Sequence, residues 1–300
     1  MVALNFRERL QAGRPLVLDG ATGTELTRRG IDTSLPLWSA RALIEAPETL
    51  RQIHRDYLAA GADVITANTF RTHRRSLAAA GLGKRAADLT RQAVEITASV
   101  VEETGRGFVA GSVAPLEDCY APRMVPPDDQ LRQEHREMVR RLMEAGVDLL
   151  LIETMNTVRE ASIATEVAVA TGLPTMVGLV CGRSARLLSG ESAAAAAAAL
   201  SLLRPDALAI NCTPTPDLHR ALGELAAHSD LPVGAYGNVG YADDVQGWVN
   251  TDSVDPVAYS KYAERWLQMG VRLVGGCCGT GPAHISALRE LVDSQSPGTG

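Results

Sequence analysis

Three of the five cysteines follow short apolar runs, at the points where buried strands would end. Cys212 closes the run ALAINC, and Cys277 and Cys278 close the run VRLVGGCC. Three thiolates with one open position are typical of a catalytic zinc site, because zinc accepts sulfur ligands and a structural site would add a fourth. Buried packing or a phosphate-binding glycine loop is the other interpretation of a cysteine pair. The spacing alone leaves both interpretations open.

Other apolar runs end in polar residues that could bind a small charged molecule. These substrate-binding candidates are Asp19, Asn68, Glu153, Asn211 and Asn238. A carboxylate ending the run VDLLLI is costly to bury without a partner, and a bound ammonium group would supply one. Asp19 could instead cap the helix that follows it, and Asn68 and Asn238 could satisfy loop backbone.

Eight apolar runs rich in valine, isoleucine and leucine would position these residues. They occupy residues 15–20, 62–70, 108–115, 147–155, 173–180, 207–212, 231–238 and 271–278. Runs without polar alternation are expected of parallel strands that are buried on both faces. No GxGxxG motif follows the first run, so a dinucleotide-binding fold is not supported.

Segments with helical character separate the runs, and three of them end in a glycine: Gly61, Gly146 and Gly270. A helix that ends in glycine just before a strand is typical of βαβ units. The pattern predicts a single-domain (β/α)8 TIM barrel over residues 1–290, with an open doubly wound sheet as the alternative. Residues 291–300 are predicted to form a disordered tail.

In a TIM barrel the chemistry sits at the carboxyl ends of the strands, where the sixth and eighth strands would bring the cysteines together. Adjacent cysteines cannot both point inward from a regular strand, because side chains alternate. We therefore expect Gly275, Gly276 and Gly279 to bend the backbone so that both sulfurs reach one metal.

Charge and composition exclude several classes of partner. The chain has 29 basic and 35 acidic residues and 4% aromatic residues, which argues against nucleic acid. No apolar stretch approaches the roughly 20 residues of a membrane span. The charged N-terminus MVALNFRERL is unlike a signal peptide, so we expect a cytoplasmic protein. The oligomeric state is not predicted.

The chain resembles the homocysteine S-methyltransferase family nearly end to end. The resemblance is carried by DGATGTEL (19–26), the segment 36–70 from PLWSARAL to ITANTF, IET (152–154), NC (211–212) and GGCCGTGPAHI (275–285). The paired cysteines followed by GTGP form a highly specific motif. The family fold is a zinc-containing (β/α)8 barrel, in agreement with the strand count.

The resemblance implies a role for each matching residue. Cys212, Cys277 and Cys278 would bind Zn²⁺ and act in catalysis through it. Asp19 and Glu153 would hold the ammonium group of homocysteine. An acidic pair beside a thiolate site suits an amino acid that carries a thiol.

Three further residues match the turn that presents backbone N–H groups to the homocysteine carboxylate: Gly20, Ala21 and Thr22. Amides exposed in such a turn form an anion-binding nest. Trp38 matches a tryptophan of the methyl-donor site in betaine-using relatives, with a hydrophobic lid as the alternative. Arg71 stands where those relatives carry an aromatic residue, so betaine is disfavoured as the donor.

The predicted reaction transfers a methyl group from an onium donor, S-methylmethionine or S-adenosylmethionine, to the thiolate of L-homocysteine and gives methionine. The alternatives are another thiol or selenol acceptor such as selenocysteine, methylcobalamin as donor, a metal hydrolase, and a barrel with structural zinc. No histidine ends a strand, which disfavours the hydrolase, and no fourth strand-end ligand supports a structural site.

Overall fold

A ring of parallel strands forms the centre of the protein. The computed structural model describes residues 4–243 and 246–295. In these ranges the strands are β1 Leu16–Val17, β2 Val64–Ala67, β3 Phe108–Val113, β4 Leu149–Met155, β5 Thr175–Leu179, β6 Ala207–Pro214, β7 Val233–Asn238, β8 Gly240–Asp243, β9 Gly247–Asn250 and β10 Leu273–Gly276. All eight apolar runs of the sequence contain a strand of the ring.

The ring has the strand order β1-β10-β7-β6-β5-β4-β3-β2, and every neighbouring pair is parallel. A parallel bridge between Leu18 and Val64 joins the two end strands, and the Asp19 amide donates to the Val64 carbonyl at 3.0 Å. The predicted TIM barrel is confirmed, and the open doubly wound sheet is excluded.

Helices surround the ring. They are α1 Phe6–Gln11, α2 Thr22–Arg28, α3 Ala42–Glu45, α4 Pro47–Ala59, α5 Arg74–Ala78, α6 Ala86–Thr104, α7 Asp128–Ala145, α8 Val158–Val169, α9 Ala193–Ser201, α10 Leu218–Ala227, α11 Pro256–Gln268 and α12 Pro282–Ser294. The glycines that were predicted to end helices, Gly61 after α4, Gly146 after α7 and Gly270 after α11, all have positive φ. None of the described helices is long and apolar enough to cross a membrane.

The strands separate two apolar layers. Leu149 and Leu151 of β4 pack inside the ring, whereas Leu150 and Ile152 pack outside it against the helices. Both layers are apolar, which explains why the sequence shows no polar alternation. Phe6 of α1 joins the inner layer, so α1 closes the amino-terminal end of the barrel.

Two features differ from the sequence-based expectations. α12 continues to Ser294, so the predicted start of a disordered tail at residue 291 is wrong for its first residues. Val292 is fully buried, and its packing holds the last turn of the helix. The rest of the predicted tail, residues 296–300, lies outside the described residues. An antiparallel hairpin of β8 and β9, which the sequence did not reveal, follows β7.

Replacing the aromatic plug at the base of the barrel should destabilise it. Phe6 is 2% exposed and its ring meets that of Phe108 edge to face at 5.6 Å. We expect Phe6→Ala to lower the free energy of unfolding by about 3–5 kcal/mol in a urea titration, because it leaves a cavity. Leu4→Ala, at a residue that is 51% exposed, serves as the control. Equal stability of the two variants would contradict a structural role for the plug.

Candidate metal centre and substrate site

The three strand-end cysteines converge at the carboxyl end of the barrel. The sulfurs of Cys212, Cys277 and Cys278 lie within 4.8 Å of one another, and those of Cys212 and Cys278 are 3.9 Å apart. Zn–S bonds of about 2.3 Å in a tetrahedral site place two sulfurs about 3.8 Å apart. The donor set and its spacing therefore suit one shared metal ion. No other such group of His, Cys, Asp and Glu occurs among the described residues.

A break in strand regularity orients Cys212. Its φ is 50°, and the register between β6 and β7 shifts between Asn211 and Pro214. β4 ends in the same way, with a φ of 61° at Thr154 and a register shift beside it. Such bulges redirect side chains, and they are over-represented next to active sites.

The bend that brings both neighbouring cysteines to one metal lies after β10. Gly275 and Gly276 are regular strand residues paired with β7, so the prediction that they bend the backbone is wrong. A Cβ atom at Gly276 would collide with the side chain of Thr280, and close packing is therefore the reason for glycine. Gly279, with a φ of 85°, allows the turn in which the Thr280 amide donates to the Cys277 carbonyl at 3.0 Å.

Asn238 links the segments that carry the cysteines. Its side-chain amide donates to the Cys212 carbonyl at 3.0 Å, and its side-chain oxygen accepts from the Cys278 amide at 2.9 Å. The residue is buried, and its amide group also lies 3.8 Å from the Cys212 sulfur. Asn238 was predicted to contact the substrate, and here it positions two metal-ligand candidates.

The other two asparagine candidates are also engaged inside the protein. Asn68 donates to the Ser39 carbonyl at 2.8 Å and holds the segment that follows Trp38. Asn211 is fully buried, accepts from the Thr154 amide at 3.0 Å and donates to the Thr154 hydroxyl at 2.8 Å. This pairing with Thr154 holds the Asn211 side chain next to Glu153, and a direct substrate contact for Asn211 stays a prediction.

Asp19 is a buried carboxylic acid at the end of β1. Its two oxygens accept from the Thr66 amide at 2.8 Å and from the Thr66 hydroxyl at 2.9 Å. Burial raises the pKa of Asp19 to about 7, against the opposing effect of these hydrogen bonds. α2 has Ala21 as its N-cap and no capping side chain, so Asp19 does not serve as the helix cap.

Glu153 lies at the end of β4 and shares the electrostatic environment of Asp19. Burial raises the pKa of Glu153 to about 8, and the charges of Asp19 and Cys212 act in the same direction. A hydrogen bond from the Ser112 hydroxyl opposes these effects. Among the described residues, no basic side chain contributes to the pKa shift of either carboxyl group. A bound cation would therefore favour ionisation of both groups.

The turn predicted to bind a carboxylate precedes α2. The Ala21 amide already donates to the Thr280 hydroxyl at 3.2 Å, so this N–H is used within the protein. No side chain caps the first turn of α2, where backbone N–H groups attract anions. Carboxylate binding by Gly20, Ala21 and Thr22 stays a prediction.

An aromatic pair and an arginine lie on the loops after β1 and β2. The rings of Trp38 and Phe70 meet edge to face with centroids 5.5 Å apart. The guanidinium carbon of Arg71 lies 5.6 Å from the centre of the Phe70 ring. Both rings are partly accessible, as expected for a surface that receives a ligand.

Sequence reasoning missed two tyrosines of the site. Tyr120, on the loop after β3, is 55% exposed, yet its phenol oxygen lies 3.0 Å from the Cys212 sulfur. Tyr236 of β7 is buried inside the ring. The position of Tyr236, two residues before Asn238 on the same face of β7, is a signal that strand alternation could have supplied.

The remaining cysteines do not join the cluster. Cys181 is buried, and burial raises the pKa of its thiol to about 12, which is the environment of an inert core cysteine. Burial also raises the pKa of Cys119 above its usual range, and the nearby Cys212 acts in the same direction. The structure thus separates three clustered thiols from two buried thiols that lie outside the cluster.

Neutralising Asp19 should stabilise the protein at high pH. Its pKa rises from 3.8 to about 7 on folding, so ionisation disfavours the folded state increasingly across that interval. We expect Asp19→Asn to exceed the wild type in unfolding free energy by up to about 4 kcal/mol above pH 7, and by much less near pH 5. Urea titrations of the protein without metal or substrate at both pH values measure the difference.

The exposed Asp230 provides the matched control, because Asp230→Asn should give a difference from wild type that does not grow with pH. A difference between Asp19→Asn and wild type that stays constant across this pH range would contradict the raised pKa of Asp19.

Comparison with known proteins identifies methyltransferases that are similar to this chain. Residues 16–292 match the family described as homocysteine S-methyltransferase. The chain is 31% identical to homocysteine S-methyltransferase YbgG of Bacillus subtilis, over 93% of this chain and 95% of that protein. It is 28% identical to selenocysteine methyltransferase of Astragalus bisulcatus, over 96% of this chain and 95% of that one.

Among solved structures, the fold is similar to that of the homocysteine methyltransferase MmuM from Escherichia coli in its metallated form. The TM-score is 0.82 at 30% identity, with 94% of this chain and 98% of the other covered. The family match over residues 16–292 includes all three clustered cysteines. The chain therefore belongs to the homocysteine S-methyltransferase family.

Proposed function

We propose that this protein transfers a methyl group from an onium donor to the sulfur of L-homocysteine and gives methionine. The observation that carries the proposal is the position of two buried carboxyl groups, without a basic partner, beside three converging thiols. This arrangement is complementary to a molecule with an ammonium group at one end and a thiol at the other. The relatives named for homocysteine methylation support the same acceptor.

We further propose that Cys212, Cys277 and Cys278 hold Zn²⁺. An all-sulfur donor set favours zinc over magnesium or calcium, and three ligands leave a position for a substrate. Bound zinc would lower the pKa of the homocysteine thiol, so that its sulfur is a thiolate at neutral pH. Three free thiols also suit a reducing compartment, in line with the predicted cytoplasmic location.

The chain's own residues orient the acceptor. Asp19 and Glu153 bind the ammonium group, and the turn at residues 20–22 receives the carboxylate. Asn238 and the bulge at Cys212 fix the cysteines against these groups, so the acceptor sulfur is held in one place. Such orientation lowers the barrier of a reaction between two bound molecules.

The transfer balances without a further reactant. The acceptor sulfur forms a bond to the methyl carbon, while the bond from that carbon to the donor heteroatom breaks. The electron pair of the broken bond stays on the donor, which becomes neutral. The thiol proton of homocysteine leaves to solvent or buffer.

The surroundings of Trp38 favour a sulfonium donor that also carries a carboxylate, such as S-methylmethionine or S-adenosylmethionine. Aromatic faces attract onium groups, and Trp38 and Phe70 offer two. Arg71 beside them has a buried guanidinium Nε atom without a hydrogen-bond partner in the described chain. A guanidinium group binds carboxylates well, whereas it repels a small cation at the same place.

A second acceptor is favoured by one specific comparison. The relative from Astragalus bisulcatus is named a selenocysteine methyltransferase, and a selenol would meet the same thiolate cluster. A metal hydrolase is disfavoured, because the cluster contains no histidine or carboxylate. Methylcobalamin as the donor is an outcome that the following assay can distinguish.

The test is methionine formation from homocysteine by the zinc-loaded protein, with S-methylmethionine, S-adenosylmethionine, betaine and methylcobalamin each offered as donor. We expect methionine from a sulfonium donor, and we expect Cys277→Ala to abolish both the product and the bound zinc measured by atomic emission. Cys181→Ala, at a buried cysteine outside the cluster, should keep zinc and activity. Zinc-loaded protein that forms no methionine from any donor would overturn the proposal.

Removing the charge of Arg71 should weaken donors that carry a carboxylate. We expect Arg71→Leu to raise KM for S-methylmethionine about tenfold or more, through loss of a charged hydrogen bond. KM for the same sulfonium without its carboxylate, (3-aminopropyl)dimethylsulfonium, should not rise. Arg74→Leu, at an exposed arginine of α5, is the control. Equal effects on both donors would contradict carboxylate binding by Arg71.

A further inference from the structure

Tyr236 carries a hydroxyl group that the protein leaves without a partner. The residue is 4% exposed, and its phenol oxygen is buried with no hydrogen bond in the described structure. A buried polar group without a partner typically costs about 1–3 kcal/mol, so its presence requires an explanation. Phenylalanine would fill the same apolar volume without this cost.

The hydroxyl reaches across the ring from β7 towards β5. A Cβ atom at Gly178 of β5 would lie 2.5 Å from the Tyr236 oxygen and 2.7 Å from the Asn211 side-chain oxygen. The glycine therefore leaves space for the phenol in the uppermost inward-facing layer of side chains. Glu153 belongs to this layer too, because it follows Leu149 and Leu151 on the inward face of β4.

The environment of the phenol is the proposed acceptor site. Burial raises the pKa of Tyr236, and the charges of Glu153, Cys277, Cys212 and Asp19 raise it further, in that order. Tyr236 thus shares the electrostatic environment of both carboxyl groups and of two of the clustered thiols. A phenol oxygen has lone pairs that can accept a hydrogen bond from a bound donor.

An ammonium group has three N–H donors and needs three acceptors when it is buried. Asp19 and Glu153 supply two. We propose that the Tyr236 oxygen is the third acceptor and that Tyr236 positions the bound amino acid by its ammonium group. This inference rests on the proposed function, which places the ammonium group of homocysteine at Asp19 and Glu153.

The proposal differs from a purely structural role in a measurable way. A packing role for Tyr236 would make its effect independent of whether the ligand carries an ammonium group. A role as ammonium acceptor confines the effect to ligands that have one. L-Homocysteine and 4-mercaptobutanoate form a matched pair, because they share the thiol and the carboxylate and differ by the amino group.

The experiment compares Tyr236→Phe with the wild type in the zinc-loaded protein by isothermal titration calorimetry with each ligand. We expect Kd for L-homocysteine to rise about tenfold or more, as is typical for loss of a hydrogen bond to a charged group. Kd for 4-mercaptobutanoate should stay within about twofold. Thermal unfolding without ligand should show a variant at least as stable as the wild type, because the unpaired hydroxyl is gone.

Tyr259→Phe is the matched control variant. Tyr259 is another fully buried tyrosine, but its hydroxyl donates to the Gly275 carbonyl at 2.7 Å and accepts from the Gly237 amide at 3.0 Å. Loss of these bonds should lower stability without discriminating between the two ligands. The control thus reports what a structural tyrosine does.

Unchanged homocysteine binding by Tyr236→Phe would overturn the inference, and so would an equal loss of affinity for both ligands. Wild-type protein that binds 4-mercaptobutanoate as tightly as homocysteine would overturn it as well. Tyr236→Phe could lose affinity for homocysteine alone while the wild type forms no methionine from any donor. That pair of results would support the inference and overturn the proposed reaction. The two failures are therefore distinguishable.

Discussion

The burial of several acidic groups without a basic partner among the described residues is the constraint that shapes the carboxyl end of this barrel. Asp19 and Glu153 are buried there beside three thiols, and no basic side chain contributes to the shift of either carboxyl group. Burial raises the pKa of both carboxyl groups, and a bound cation would lower it again. In the proposed complex, a metal ion among the sulfurs and an ammonium group between the carboxylates supply the missing positive charge. The protein thus supplies the acidic groups of the site, and its ligands would supply the positive charges.

The rest of the barrel makes this costly arrangement possible. The inner and outer apolar layers, with Phe6 at the base of the barrel, stabilise the folded state. Their burial offsets the unfavourable free energy of burying acidic groups at the other end. Rigid strand ends then hold the functional groups, with Asn238 bridging the cysteine segments and Asn211 fixing the bulge beside Glu153. These asparagines hold the cysteines and Glu153 in position, because the precise placement of functional side chains depends on supporting hydrogen bonds.

The proposed acceptor end and the proposed donor end of the site are formed by different parts of the chain. The carboxyl groups and thiols of the proposed acceptor site lie at or next to strand ends, where backbone hydrogen bonds fix their positions. Trp38, Phe70 and Arg71 lie on loops after β1 and β2, and Tyr120 lies on the loop after β3. Loops on a TIM barrel vary without disturbing the ring, so one scaffold can keep its acceptor and change its donor.

The sequence by itself determined the barrel and the cysteine cluster. Eight apolar runs with glycine-terminated helices between them specify parallel strands, and Cys212, Cys277 and Cys278 fall at their ends. Tertiary structure decided the rest, because local patterns do not record contacts between distant segments. It showed that Gly276 is required for packing and that the Asn211 side chain is hydrogen-bonded to Thr154. It also showed that the Tyr236 hydroxyl, on a largely apolar strand, is buried without a hydrogen-bond partner in the described residues.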